Sequence, residues 1–210
     1  MLEAIPGSRA SPEAQAPELF SVVLRLRALE GGTVTAASGY QTYALFLRLL
    51  DRSEPRLADE MHALDGAKPF TVSALTGRLE RAGNRLRVPR DTICAIRLTF
   101  MKADIFAHFL DGILCWGEDS VEVDGIPFRV QEVDPGSGKD RLARFKDYRG
   151  ILAAASPQRT IALEFASPTV FRSGGRRNVV FPDPQLVFGS LLARWQAFSP
   201  LKMDDSLPRW

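Results

Sequence analysis

Two cysteines and two histidines in 210 residues leave little room for several kinds of chemistry. Cys94 and Cys115 cannot form a disulfide framework, and a zinc site of Cys and His would need all four residues at once. No apolar run reaches the roughly 18–20 residues that a membrane span requires. The opening residues lack the apolar stretch of a secretory signal. What remains is 45% hydrophobic and 25% charged, the usage of an ordinary globular protein. Collagen-like and wholly disordered readings are excluded, and the expected compartment is the cytoplasm.

Net charge is nearly absent, with a formal value of only +2, but the charges are unevenly placed. Residues 66–103 hold eight Lys and Arg against Glu80 and Asp91. Residues 139–177 hold nine against Asp140, Asp147 and Glu164. The rest of the chain is correspondingly acidic. Arg outnumbers Lys in both blocks, and its planar fork suits phosphate. Two basic blocks in an otherwise acidic chain point to a polyanionic partner, although a solvated charged surface would look the same.

Periodicity organises the chain. Residues 1–18, rich in Pro, Ala, Ser and Glu, are expected to be a mobile leader. Residues 20–27 alternate as a strand does. Tyr43, Phe46, Leu47 and Leu50 recur at helical spacing, and Pro55 opens a second helical piece carrying Leu57, Ala58 and Met61. Residues 70–75 read as a strand, and residues 78–90 as a basic hairpin turning at Ala82-Gly83-Asn84. A strand follows over 92–101, then a helix over 103–116, then two strand pieces around Asp124-Gly125. Strand, helix, strand, strand, helix, strand is the ferredoxin-like βαββαβ order, so the fold class is α+β. The expected domain spans 19–133, followed by a linker over 134–159. A strand at 160–165 and a helix at 184–198 then repeat the opening of the first domain. Residues 160–210 are therefore expected to form a second, incomplete ferredoxin-like domain, about 70 residues short of a complete one.

Few residues could carry chemistry. His108 lies among Phe106, Phe109 and Leu110 and reads as structural. His62 falls where the second helical piece ends, just before Lys68. A histidine beside cations at a helix end suits proton transfer, and it would equally serve as a cap or surface residue. Gly136-Ser137-Gly138-Lys139 lacks the earlier glycine of a phosphate loop, where Val133 stands, and Asp140 replaces its Ser or Thr. Asp59-Glu60 are helix neighbours that diverge. Asp204-Asp205 reads as solvated, and Cys94 and Cys115 as core residues. Arg85 and Arg87 in the hairpin are candidate phosphate contacts. So are Arg172, Arg176 and Arg177 in a loop whose Gly174-Gly175 lets backbone approach a ligand.

Four stretches together resemble a known family: Leu57-Ala58-Asp59-Glu60-Met61-His62; Lys68-Pro69-Phe70-Thr71-Val72-Ser73-Ala74-Leu75; Ser167-Pro168-Thr169-Val170-Phe171-Arg172; and Phe181-Pro182-Asp183-Pro184 with Leu191-Leu192-Ala193-Arg194-Trp195. In order and separation they are similar to the CRISPR-associated endoribonucleases that cut precursor guide RNA. The resemblance spans about residues 19–198. It implies two tandem ferredoxin-like domains and metal-free cleavage of repeat RNA, with no cofactor. It also implies attack by a ribose 2′-hydroxyl, leaving a 2′,3′-cyclic phosphate and a 5′-hydroxyl. His62 falls on the family's catalytic histidine, and Lys68 on a lysine that assists in some members. Those members' tyrosine would fall on Leu47, and Tyr43, one turn earlier, is the substitute. The family's C-terminal glycine-rich loop, involved in gripping RNA, has no counterpart after Phe198. Two other readings stay open: a module that binds repeat RNA without cutting it, and a subunit completed by a second copy or another CRISPR-associated protein.

Overall fold

In the computed structural model, the described residues are 18–203 except 118, 159, 166–168 and 174–176. The expected leader, residues 1–18, lies outside them apart from Glu18. The first strand, β1 (Leu19–Ala28), is the spine of the main sheet. Val22, Leu24, Leu26 and Ala28 face the helices and are buried, and Arg25 and Arg27 point to the other side. This is the period of two that a half-covered strand requires. After the short β2 (Gly32–Thr35), α1 (Gly39–Ser53) and α2 (Pro55–Ala63) follow, the latter with Pro55 at a first-turn position where its missing N–H is harmless. Next come β3 (Phe70–Val72), β4 (Thr76–Gly77), β5 (Glu80–Ala82), β6 (Arg85–Val88) and β7 (Ile93–Phe100). Helix α3 (Ala103–Trp116) and strands β8 (Ser120–Val123) and β9 (Ile126–Asp134) complete the unit.

The sheet runs β3-β7-β1-β9-β8, with every pairing antiparallel. The two middle strands of the βαββαβ unit thus lie on one side of β1 and the last on the other. The architecture is α+β and ferredoxin-like. Gly83, at φ +64°, makes the hairpin turn between β5 and β6, and β2 pairs with β6 to form a small second sheet.

Helices α1 and α3 cover one face of the main sheet. Leu45, Phe46, Leu49 and Leu50 of α1 meet Ile105 and Phe109 of α3 over Phe70, Ile96, Leu98 and Phe100. The Phe46 ring lies 4.4 Å from that of Phe70 and 6.0 Å from that of Phe109, centroid to centroid. Truncating such an aromatic to alanine costs about 3–5 kcal/mol. A Cβ on Gly112 would overlap the Leu49 carbonyl, so glycine sets how closely the helices approach. The start of α1 is tied to the sheet by polar bonds. The fully buried Ser38 Oγ accepts the Leu75 N–H at 3.0 Å, and Thr42 Oγ1 donates to the Ser73 carbonyl at 2.8 Å.

Several expectations need correction. The segment expected as a linker is built structure. Its strand β10 (Arg144–Lys146) pairs with β1 beyond the end of β9, where that edge of β1 is otherwise open. Helix α4 (Tyr148–Ala154) follows, with Asp147 accepting the Gly150 N–H. Asp134 gathers the N–H groups of Gly136, Ser137 and Asp140. Those donors face inward, which removes the phosphate-loop geometry directly. The expected strand at 160–165 makes no ladder among the described residues. Its alternating Ile161, Leu163 and Phe165 are all exposed, and alternation cannot supply a partner strand. Beyond it stand a hairpin of β11 (Phe171–Ser173) and β12 (Arg177–Val179), and helix α5 (Pro184–Phe198). Cys94 is buried as expected, and burial pushes its thiol up to about 11, whereas Cys115 is exposed. Among the described residues no helix is long and apolar enough to cross a membrane.

Two outcomes follow for stability. Gly112→Ala is expected to destabilise the protein by about 1–3 kcal/mol through overpacking. Gly189→Ala, in open space on α5, should be neutral or stabilising by up to about 1 kcal/mol. Equilibrium denaturation of both variants checks this. Burial pushes the Asp134 carboxyl up, but hydrogen bonds from Ser137, Gly136 and Asp140 outweigh it and hold it at about 2, against an ordinary 3.8. A carboxyl depressed on folding stabilises the protein above its unfolded value, and that contribution is lost as pH falls through the folded one. The melting-temperature gap between the parent and Asp134→Asn should therefore be widest above about pH 4 and shrink towards pH 2.

Candidate active site

A helix leaves its last carbonyls without partners inside the helix. At the end of α2 the Met61 carbonyl is one of these, and Lys68 reaches back to it, Nζ to O 2.6 Å. The intervening loop reverses at Gly66, whose φ of +91° favours glycine. A cation at this end of a helix also meets the negative pole of its dipole. The same ammonium donates to the Tyr43 hydroxyl at 3.2 Å and lies 5.5 Å from the centre of the Tyr43 ring. Tyr43 in turn donates to the Met61 carbonyl at 3.4 Å. Its ring stacks on buried Phe70 at 6.0 Å, so the aromatic core fixes its direction.

His62 is the next residue after Met61, in the last turn of α2. It is exposed, and its ring makes no hydrogen bond among the described residues. The structure therefore brings Tyr43 and Lys68 into contact and sets His62 beside the carbonyl that both use. Leu47, where the family's tyrosine would fall, packs against the core. Next to this cluster lies an open cavity of about 440 Å3, lined by Tyr43, Lys68, Phe70, Thr71 and Arg194, with glycines at 39 and 66. The ammonium and the phenol thus meet at this helix end and line the cavity, whereas His62 adjoins them through the backbone of Met61 and is not among the cavity-lining residues.

The basic hairpin divides its two candidates. Arg85 is occupied: Nε donates to Thr33 Oγ1 at 2.7 Å, and the guanidinium also reaches the Thr33 carbonyl and, at 3.4 Å, Asp124. It fastens β6 to β2 and to the β8–β9 turn. Arg87 shares its face but is exposed opposite Glu80, beside a second cavity of about 720 Å3. Arg172 and Arg177 take ladder positions in β11 and β12, paired with Asn178 and Ser173 respectively. Arg176 lies outside the described residues. In the sequence Arg194 is marked only as part of the Leu191-Leu192-Ala193-Arg194-Trp195 stretch. Its contact with the cavity links α5 to a loop more than a hundred residues earlier, which spacing along the chain does not reveal.

The chain has relatives of known structure. A model of the family "CRISPR-associated endoribonuclease Cas6" matches residues 163–208. None of the curated proteins matches the sequence. Among solved structures, a Cas6 (TTHB231) product complex is 30% identical with a TM-score of 0.71, covering 90% of this chain and 68% of the relative. A second product complex, Cas6 (TTHA0078), is 29% identical with a TM-score of 0.66, covering 89% and 67%. A Cas6-related protein from Pyrococcus furiosus, 14% identical with a TM-score of 0.56 over 86% of this chain and 71% of its own, shares the fold. By fold and by identity over most of its length, this chain belongs to the Cas6 family of CRISPR-associated endoribonucleases.

Proposed function

We propose that the chain cleaves CRISPR repeat RNA at the end of α2, and that His62, Lys68 and Tyr43 carry the reaction. The observation that supports this reading most is the Lys68 ammonium, hydrogen-bonded to Tyr43 and to the carbonyl of the residue preceding His62. In the reaction, the ribose 2′-oxygen bonds to the adjacent phosphorus and the bond from phosphorus to the 5′-oxygen breaks. The products are a 2′,3′-cyclic phosphate and a 5′-hydroxyl. One proton must leave the 2′-hydroxyl and one must reach the 5′-oxygen; His62 moves one of them and solvent water exchanges the other. Lys68 faces the charge that builds on the phosphate oxygens, so no metal ion is required to neutralise it. Tyr43 holds the ammonium and donates a hydrogen bond. Arg87, with Arg172, Arg176 and Arg177, grips the RNA backbone, whose recognition depends on phosphate contacts and stem shape. Residues 19–133 form the catalytic unit in this proposal, and residues 160–210 supply a second RNA-binding surface.

His62→Ala should slow single-turnover cleavage by at least about 10²-fold while leaving affinity for the repeat nearly unchanged. Cleavage by the parent should persist in excess EDTA. Loss of cutting in EDTA with recovery in magnesium would overturn the metal-free mechanism, and a His62 effect confined to binding would overturn its catalytic role. For the hairpin, Arg87→Ala should reduce the salt dependence of binding by about one counterion without changing the melting temperature. Arg85→Ala should instead lower the melting temperature, because its donors hold β6 to Thr33 and Asp124.

A further inference from the structure

The cavity beside Lys68 is lined by two cations and no acid. Its charged residues are Lys68 and Arg194, and the others are Gly39, Tyr43, Gly66, Phe70, Thr71 and Val72. Arg194 is half-buried on α5, and no carboxylate pairs with it among the described residues. Its one hydrogen bond there runs from Nη1 to the Lys68 carbonyl, 3.0 Å. A guanidinium carries five N–H donors in a rigid plane, so this single bond orients the group and leaves the rest of the fork unused. Two like charges lining one open cavity, with no acid between them, favour an anion seated where both can reach it.

The position of Arg194 is not an accident of a mobile side chain. Asp183 accepts the Gln185 N–H at 2.8 Å and starts α5. The next residue, Trp195, meets Tyr148 edge-on at 5.2 Å, and its indole N–H donates to the Leu201 carbonyl at 2.6 Å. Tyr148 donates in turn to the Met101 carbonyl, just past the end of β7. Helix α5 is therefore docked on the ferredoxin-like unit at the point where Arg194 enters the cavity.

We propose that Arg194 is a further substrate-contacting residue of the cleavage site. With one N–H on the Lys68 carbonyl, it grips through its remaining donors a phosphate of the RNA at or next to the bond being cut. This inference rests on the reading of the α2 end as the site of cleavage. It adds that α5 completes the cavity, and that Lys68 and Arg194 act on the same stretch of backbone from two sides.

The full chain is tested with Arg194→Gln, which keeps a donor for the Lys68 carbonyl but removes the charge, and with Arg194→Lys, which keeps the charge but loses the fork. Single-turnover cleavage of repeat RNA at saturating protein should fall by about 10-fold or more in Arg194→Gln, and by less in Arg194→Lys. Binding of the same RNA with a 2′-deoxyribose at the cut should lose about one counterion of salt dependence in Arg194→Gln and none in Arg194→Lys. Guanidinium ion added to Arg194→Ala at non-denaturing concentration should restore part of the rate. Parental rate and salt slope in Arg194→Gln overturn the proposal. So do equal losses in both variants with a lowered melting temperature, which mean that the residue only holds α5 in place. If the parent itself fails to cut, the reading of the site as catalytic fails. The salt slope on the deoxy RNA then still decides whether Arg194 contacts phosphate.

Discussion

The close approach of α1 to α3 governs the geometry of everything around it. With hydrogen as the whole side chain of Gly112, the Leu49 carbonyl can lie against the backbone of α3. That spacing lets Phe46 enter the aromatic cluster with Phe70, Phe100 and Phe109, and the cluster sets the height of α1 above the sheet. Tyr43 sits one turn before Phe46 and leans on Phe70, so the place of its hydroxyl is decided by packing at the centre of the molecule. Ser38 and Thr42 fix the other coordinate by tying the start of α1 to the chain just after β3. The hydrogen bond from Lys68 to Tyr43 is the last link of this sequence, and it is only as well placed as the helix behind it.

Much of the fold was legible because its elements are amphipathic and clearly punctuated. The helix at Ala103–Trp116 shows an apolar stripe, and the hairpin shows glycine at its turn. The last helix begins with a proline after an aspartate cap. The misreadings share another origin. Residues 134–140 have the composition of a linker, yet one buried aspartate gathers their N–H groups into a compact loop, an organisation that composition does not report. Short β10 became a strand because β1 outruns β9 and leaves donors and acceptors to satisfy. Residues 160–165 alternate well but lack a neighbour, and alternation describes only one side of a pairing. Cys115 lies on the part of α3 that the core does not cover, which a mainly apolar helix disguises.

The candidate site was legible to a different degree for each residue. His62 and Lys68 flank a helix end, and their spacing and charge were visible directly. Tyr43 could be placed on the right face of α1, but only tertiary packing directs its hydroxyl to the ammonium. Arg85 and Arg87 are indistinguishable in sequence. Thr33 of β2 and Asp124 of the β8–β9 turn, both distant in sequence, engage Arg85 and not Arg87. Arg194 stood in plain view without an indicated role, because its partner is a backbone carbonyl and not a side chain that would mark the pairing.

The bond from Lys68 to the Met61 carbonyl makes one local event out of two that are usually separate. It closes the last turn of α2 and positions the cation, so when that turn frays the backbone carrying His62 shifts as the ammonium loses its anchor. The remainder of the sheet and its two covering helices need not change. Heating would then silence the proposed centre by a small, rapidly reversible opening at the end of one nine-residue helix, well before cooperative collapse of the domain. The temperature ceiling of activity would be a property of a single turn, adjustable by the composition of α2 and its following loop without touching the core.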